Sequence, residues 1–128
     1  MFGLPPSVRI YVLCEPVDMR KGVNGLCELV RGEFRRDVFS GHLFVFLSRR
    51  RERVKILWWD RGGFVLYYKR LERGRFFPLR RAASGQLTLT PAELNSLLEG
   101  LDLRGVRRRA LWEPEVAQEK NARSGIDK

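Results

Sequence analysis

The middle of the sequence constrains the fold most, because three apolar runs are separated there by two polar turns. Leu43–Leu47 is apolar at every position, which predicts a central strand covered on both faces. A polar turn at 48–52 leads to a second run, and Asp-Arg-Gly-Gly at 60–63 leads to a third, Phe64–Lys69. Turns this short join antiparallel neighbours, so residues 43–71 predict a three-stranded antiparallel meander.

The second run, Arg53–Trp59, also predicts which side chains face the core. It begins with strict alternation of basic and apolar residues, and successive side chains of a strand point to opposite faces. The predicted core face contains Val54, Ile56 and Trp58. Arg53 and Lys55 fall on the opposite face, and Trp59 is left open between core and surface.

Two further strands and a long helix are predicted outside the meander. Val8–Cys14 is rich in β-branched and aromatic residues, and Gln86–Thr90 alternates, so both predict strands. Asp18 is the predicted cap of a helix that ends near Phe34. Its apolar face is formed by Met19, Val23, Leu26, Cys27, Val30 and Phe34. Gly22 and Gly25 lie within this helix and are expected to allow close packing onto the sheet.

A second, short helix is predicted after Thr90. The run Thr90-Pro-Ala-Glu93 places a capping threonine, a proline at the first helical position and a glutamate three residues after the cap. Gly100 marks the end of the helix. The predicted buried face contains Leu94, Leu97, Leu98 and Leu101.

These elements predict a single α+β domain over residues 1–112. Its mostly antiparallel sheet has about five strands with a central three-stranded meander, and one long and one short helix pack on it. Residues 113–128 are polar and aperiodic, so they predict a flexible tail. No secretory signal and no membrane-spanning stretch is recognisable, which favours a cytoplasmic protein.

Basic residues are concentrated in the same part of the chain as the meander. The formal net charge is +10, and residues 49–81 hold twelve Lys or Arg against three Asp or Glu, which accounts for most of it. A rigid sheet with this charge needs an anionic partner, and nucleic acid is the first candidate. An anionic membrane surface is the weaker alternative, because the sequence contains no basic amphipathic helix.

The predicted nucleic-acid contacts come from this basic segment. They are Arg49, Arg50, Arg51, Arg53, Lys55, Arg61, Lys69, Arg70, Arg73 and Arg75. Trp59, Tyr67 and Tyr68 offer stacking surfaces for unpaired bases, with membership of the core as the alternative. Arg49–Arg51 either contact the nucleic acid or form a solvated turn. Contact is favoured because three adjacent arginines repel one another without a partner. The form of the nucleic acid, duplex or single strand, DNA or RNA, stays open.

Catalytic chemistry finds little support among the residue types present. His42 is the only histidine and is interpreted as a turn residue next to a strand. Cys14 and Cys27 stand in apolar contexts and are predicted to be buried and reduced. No metal motif and no cofactor site is predicted.

Two alternatives keep a reactive or phosphate-binding site open. Asp18, Asp60 and Glu72 could meet in space as the carboxylates of a small metal-dependent nuclease, an interpretation that we do not favour. Arg20 and Lys21, at the start of the predicted first helix, could cradle a phosphate.

Six segments spread in register over residues 5–103 match the pattern of a known family. They are Asp18–Gly22, Phe39–Phe46, Arg53–Asp60, Lys69–Phe76, Leu89–Leu94 and Leu97–Gly100. Together they resemble the small accessory protein encoded by the second reading frame of the bacterial insertion sequence sixty-six family. This TnpB-type protein is unrelated to the RNA-guided nuclease that shares the label. The chain departs from the pattern at Val23, usually an aromatic residue, and at Leu103, where tryptophan is common, which affects local packing.

The resemblance implies a role in transposition beside a separate, larger transposase that carries the catalytic carboxylates. It supplies no catalytic residue to this chain. The expected function is therefore that of a non-catalytic accessory protein that binds DNA through its basic sheet surface and acts with the transposase. The alternative is a protein-interaction module that docks on the transposase through the Leu94–Leu101 helix and exposed aromatic residues, without binding DNA alone.

Overall fold

A computed structural model of the protein describes residues 3–80 and 87–100. The strands are β1 (Ile10–Leu13), β2 (Leu43–Leu47), β3 (Arg53–Asp60), β4 (Gly63–Arg70) and β5 (Leu87–Leu89). The helices are α1 (Val23–Leu29), which continues as a π-helical turn over Val30–Phe34, and α2 (Pro91–Leu98). No described helix has the length and apolar character needed to cross a membrane.

The five strands form one sheet in the order β4-β3-β2-β1-β5. β1 and β2 are parallel, and the other neighbouring pairs are antiparallel. Parallel neighbours need a crossover connection, and α1 provides it between β1 and β2. The predicted α+β class and the β2-β3-β4 meander are confirmed. The meander occupies one side of the sheet, so β2 is the middle strand of the sheet and β4 is an edge strand.

Both faces of the sheet are buried, each under one helix. On the first face, here called the α2 face, residues such as Val12, Val45 and Ile56 pack with the leucines of α2. On the second, the α1 face, Tyr11 and Phe44 pack with the apolar residues of α1 and its π-helical turn. The whole of β2 is buried, which confirms its prediction as a strand covered on both faces.

The first helix begins later than predicted. Asp18 was expected to cap it, but the helix starts at Val23 with Gly22 as its N-cap residue. The Asp18 side chain instead accepts hydrogen bonds from the backbone N–H and guanidinium of Arg20, and its carbonyl accepts from the backbone N–H of Lys21. These local bonds close a turn over 18–21 and hold the chain out of the helix for four residues longer than the apolar pattern suggested.

The glycines of this region do not pack against the sheet as expected. A methyl group at Gly25 would lie 3.3 Å from the side chain of Lys21, and one at Gly22 would contact nothing within 4 Å. The nearest neighbour of Gly25 is therefore the flexible side chain of the preceding turn.

The second helix follows its prediction closely. The Thr90 hydroxyl accepts a hydrogen bond from the Glu93 backbone N–H at 3.1 Å, and Oε1 of Glu93 accepts one from the Thr90 backbone N–H at 2.8 Å. Leu94, Leu97 and Leu98 are fully buried against the sheet. Because the protein's own core uses this leucine face, α2 cannot offer it to a transposase. Leu101 and the predicted tail at 113–128 lie outside the described residues.

Candidate nucleic-acid interface

The β3–β4 hairpin separates the basic segment into two ends. The strands pair along their whole length, from Arg53 opposite Arg70 to Asp60 opposite Gly63. We call the end formed by residues 48–53 and 70–76 the arginine end. The other end, beside the tight turn at Arg61, lies about 23 Å away along the eight residues of β3. The predicted contact residue Arg61 is thus remote from most of the others.

Backbone hydrogen bonds hold the two segments of the arginine end together. The backbone N–H of Leu71 donates to the carbonyl of Glu52 at 2.8 Å, and that of Phe76 donates to the carbonyl of Arg51 at 2.6 Å. The segment that follows β4 is therefore held against the β2–β3 turn. This arrangement brings Arg73 and Arg75 alongside the turn arginines.

Two arginines face each other directly across the hairpin. Arg53 and Arg70 are cross-strand partners, with both side chains on the α1 face. Side chains so placed have Cβ atoms about 4.5–5.5 Å apart, and like charges in this position are destabilising. Arg70 is relieved by an exposed ion pair with Glu72 at 3.0 Å. Arg53 has no carboxylate partner among the described residues.

Most guanidinium groups of the arginine end are exposed and unengaged. Those without a side-chain hydrogen bond or ion pair to any described residue are Arg49, Arg50, Arg53, Arg73 and Arg75. No group in the described part of the chain therefore competes with an external anion for these charges. The segments 49–53 and 70–75 contain only two carboxylates, Glu52 and Glu72.

Three of the predicted contact residues are instead engaged inside the protein. Arg51 has a left-handed backbone with φ of 59°, and its Nε donates to the carbonyl of Phe76 at 3.1 Å. Nζ of Lys55 donates to the carbonyls of Met19 and Lys21, at 2.7 and 2.8 Å. Nζ of Lys69 donates to the carbonyl of Leu98 at the last turn of α2, where a cation also complements the helix dipole. These three side chains therefore stabilise the folded chain by bonding backbone carbonyls.

The bonds of Lys55 bring a further basic pair to the arginine end. They hold the turn over 18–21 against β3, and the backbone N–H of Val17 donates to the carbonyl of Leu47 at 2.9 Å, close to the β2–β3 turn. Arg20 and Lys21 therefore lie near the arginine end on the α1 face. α1 has only seven residues and begins after them, so their contribution is charge and not a helix-terminus site.

Arg20 is already partly neutralised. Its guanidinium bonds Asp18 at 2.7 Å, and this hydrogen bond holds the pKa of the Asp18 carboxyl at about 2. Asp18 is consequently ionised throughout the physiological pH range. Lys21 is exposed and forms no ion pair with a described residue.

The three predicted stacking residues are divided between the two faces. Tyr68 is half exposed on the α1 face, with the ammonium of Lys55 5.4 Å from its ring centroid. Tyr67 lies on the α2 face, packed against the core, and burial raises the pKa of its hydroxyl. Trp59 lies near the far end of the hairpin, 5.1 Å between ring centroids from both Phe39 and Phe64. Only Tyr68 borders the arginine end.

Trp58, the predicted core tryptophan, is partly buried and packs against the core of the α2 face. Its neighbour Trp59, which the alternation left open, lies on the opposite face. The assignment of Trp58 to the core is therefore confirmed, and period two explains why both could not be buried on one side.

The histidine and cysteine side chains that were considered for catalysis are hydrogen-bonded or at least partly buried within the fold. Nδ1 of His42 accepts a hydrogen bond from the Arg9 backbone N–H at 2.9 Å, and burial, Arg36 and Arg9 lower the pKa of the imidazole. Cys27 is buried as predicted, and desolvation raises the pKa of its thiol, whereas Cys14 is only partly buried. Within residues 3–80 and 87–100, no three His, Cys, Asp or Glu side chains are placed to hold a metal ion together.

Comparisons with known proteins place the chain in a family. Residues 8–108 match the family model described as IS66 Orf2 like protein. The uncharacterised protein y4jC of Sinorhizobium fredii is 38% identical over 115 residues, which cover 89% of this chain and 97% of that protein. The uncharacterised protein y4hO of the same organism is 36% identical over 109 residues, covering 84% and 91%. No solved structure gives a significant match. The chain belongs to the IS66 Orf2-like family, which identifies it as an insertion-sequence accessory protein.

Proposed function

We propose that this accessory protein binds DNA through its arginine end and acts beside the transposase of the same element without catalytic residues of its own. The observation that carries the proposal is the direct apposition of Arg53 and Arg70. A sheet that holds two like charges opposite each other gains stability when an anion lies between them, and DNA phosphates are regularly spaced anions.

The exposed arginines define the contact surface. It consists of Arg49, Arg50, Arg53, Arg70, Arg73 and Arg75, with Arg20 and Lys21 beside it. Six to eight cations on one surface suffice for salt-dependent, sequence-independent affinity. Arg51, Lys55 and Lys69 support this surface from within, because their donors already have backbone acceptors.

Tyr68 gives the surface one aromatic ring beside these cations. A single ring can stack on one unpaired base, whereas tracking a single strand needs a series of such rings. The arrangement therefore favours phosphate contacts as the main source of affinity, with Tyr68 contributing where a strand end or distorted base pair is presented.

A direct test is the binding of the purified protein to a labelled duplex of the element's terminal repeat, with an unrelated duplex as control. For about 6–10 phosphate contacts, affinity should fall about 10³–10⁵-fold between 50 and 200 mM salt. A steep fall on both duplexes is the expected result, and a preference for the terminal repeat would add end recognition. Absence of binding at the lowest salt would refute stand-alone DNA binding.

A second candidate function, docking on the transposase, has its own support. Phe39 is 53% exposed although it contacts Trp59 and Phe64, so an aromatic cluster faces solvent at the far end of the hairpin. An apolar cluster of this kind suits a protein partner better than a phosphate. Co-purification with the transposase in high salt, lost on replacing Phe39 with serine, would support it.

A further inference from the structure

The outer edge of β4 has no neighbouring strand among the described residues. β4 is the last strand of the sheet and has eight residues, whereas β5, at the opposite edge, has three. A long edge strand presents a row of unpaired N–H and C=O groups, and such an edge is a template for another strand.

The hydrogen bond from the Leu71 N–H to the Glu52 carbonyl shows which groups of β4 point outward. Hydrogen-bonded and non-hydrogen-bonded pairs alternate along an antiparallel ladder. With residues 52 and 71 as a hydrogen-bonded pair, the register of β3 and β4 makes every second residue of β4 point its backbone groups away from β3. These outward residues are Phe64, Leu66, Tyr68 and Arg70.

The side chains of the same residues make the edge apolar over most of its length. Phe64 and Leu66 pack partly against the α1-face core, and Tyr68 is 50% exposed. The register continues without interruption from Arg53–Arg70 to Asp60–Gly63, so no bulge turns the edge away. β4 contains no proline, and its charges, Lys69 and Arg70, stand at one end only. Three devices that protect an edge, namely proline, charged side chains and bulges, are therefore missing from the first six residues of β4.

We propose that β4 pairs with β4 of a second copy of this chain, antiparallel, about a two-fold axis near Leu66. In this register Phe64 lies opposite Tyr68 of the partner subunit, which gives two aromatic cross-strand pairs. The outward backbone groups form about six hydrogen bonds between the subunits. The sheet becomes continuous across both copies.

The distribution of charge selects this geometry over the other ways of pairing. A parallel arrangement would place Arg70 against its own copy, and an antiparallel axis at Tyr68 would bring the two arginine ends closer together. With the axis near Leu66, each Arg70 lies beside the opposite turn, about 27 Å along the strands from its copy. That turn holds Asp60 and Arg61, so its charges cancel.

The net charge of +10 on each copy opposes association at long range. Salt screens that repulsion, since the Debye length falls from about 30 Å at 0.01 M to about 8 Å at 0.15 M. Self-association through β4 should therefore strengthen as salt rises. Binding of DNA to the arginine end should weaken over the same range, so the two events separate by the sign of their salt dependence.

Sedimentation of the full-length chain without DNA tests the proposal. The 15.0 kDa chain is expected to shift toward twice that mass with rising protein concentration, and to shift further when salt is raised from about 0.05 to about 0.5 M. Leu66→Pro removes an outward N–H donor and leaves the donors of the β3–β4 ladder in place, so it should weaken association about tenfold or more. Tyr68→Arg, at an exposed position, should do the same by placing a charge beside Phe64 of the partner subunit.

Thr88→Arg is the matched control, because it adds the same charge at an exposed position on the other edge strand, β5. Its association should equal that of the unaltered chain. A monomer at every concentration and salt, or a dimer that persists in a folded Leu66→Pro or Tyr68→Arg variant, would overturn the proposal. A chain that stays monomeric alone but binds the transposase through an edge blocked by Leu66→Pro would also overturn it, and would assign the edge to that protein.

Discussion

The exposed arginines at the arginine end and the two lysines in the strands beside them belong to one basic stretch of sequence, yet their surroundings differ. Lys55 and Lys69 each place an ammonium on backbone carbonyls, the first under the 18–21 turn and the second at the end of α2. Arg49 and Arg53 have no side-chain partner among the described residues. Basic residues can thus be structural or available for a ligand within a few positions of each other.

The difference has a simple origin in the layers above the sheet. Lys55 and Lys69 lie on opposite faces of the hairpin, where a turn or a helix end covers the strand and supplies unpaired carbonyls. A lysine stem can run along apolar surface and deliver its ammonium to such a group. The exposed guanidinium groups of the arginine end find no such carbonyl among the described residues, so they meet solvent or a ligand.

The largest expected effect is on DNA binding by the exposed arginines of the arginine end. Replacing Arg49, Arg50 and Arg53 together with alanine should make the slope of log affinity against log salt shallower by about 0.9 for each phosphate that is no longer neutralised. Thermal stability should not fall, because none of the three side chains has a described partner within the protein and Arg53 opposes the like charge of Arg70. Fluorescence titration over a series of salt concentrations measures the slope.

Arg61→Ala provides the spatial control for that experiment, since Arg61 is an exposed arginine at the other end of the hairpin. Little change is expected from it. A change in slope per residue equal to that of the triple variant would extend the interface along the whole hairpin. An unaltered slope in the triple variant would remove the arginine end as the binding surface.

The second effect concerns stability and Lys55. Lys55→Met keeps the apolar stem but leaves the carbonyls of Met19 and Lys21 without their donor, so the free energy of unfolding should fall by about 2 kcal/mol, with partial exposure taken into account. Arg53→Met, on the same strand and face, should change it by less than about 0.5 kcal/mol. Urea denaturation compares the two variants, and equal decreases would contradict the structural role of Lys55.

A smaller decrease is expected at Lys69. Lys69→Met removes one bond to the Leu98 carbonyl and the favourable charge at the end of α2, which together should contribute about 1 kcal/mol. Hydrogen exchange should show the amides of α2 opening more readily, with those of β2 unaffected. Faster exchange spread evenly over both elements would point to a general decrease in stability instead.

The smallest effect should come from His42, which is neither exposed nor bonded as a cation. Its pKa is lowered in the folded protein by burial and by Arg36 and Arg9, so the unfolded chain binds more protons between the folded pKa and about 6.5. The contribution of His42 to the free energy of unfolding should therefore be fully present above about pH 6.5 and should decline as pH falls toward the folded pKa. His42→Asn keeps an acceptor for the Arg9 N–H and should flatten this decline in denaturation curves between about pH 5 and 7; an unchanged decline would assign it to other groups.

Several features were predictable because their causes lie within a few residues of one another. The alternation at Val54, Ile56 and Trp58 assigned the faces of β3 correctly, and the Thr90–Glu93 capping box located α2. The uninterrupted apolar run of β2 indicated a strand buried on both faces. The predicted start of α1 was wrong because the carboxylate of Asp18 bonds the neighbouring residues of a turn as readily as it caps a helix.

The sequence by itself determined the meander, the second helix and the excess of positive charge, since periodicity, capping and composition act locally or as simple sums. Only the tertiary structure decided how that charge is used. Lys55 and Lys69 find acceptors in segments distant along the chain, and Arg73 and Arg75 reach the β2–β3 turn through the Phe76–Arg51 hydrogen bond. Those contacts depend on which strands become neighbours in the sheet, and no local pattern of the sequence specifies that order.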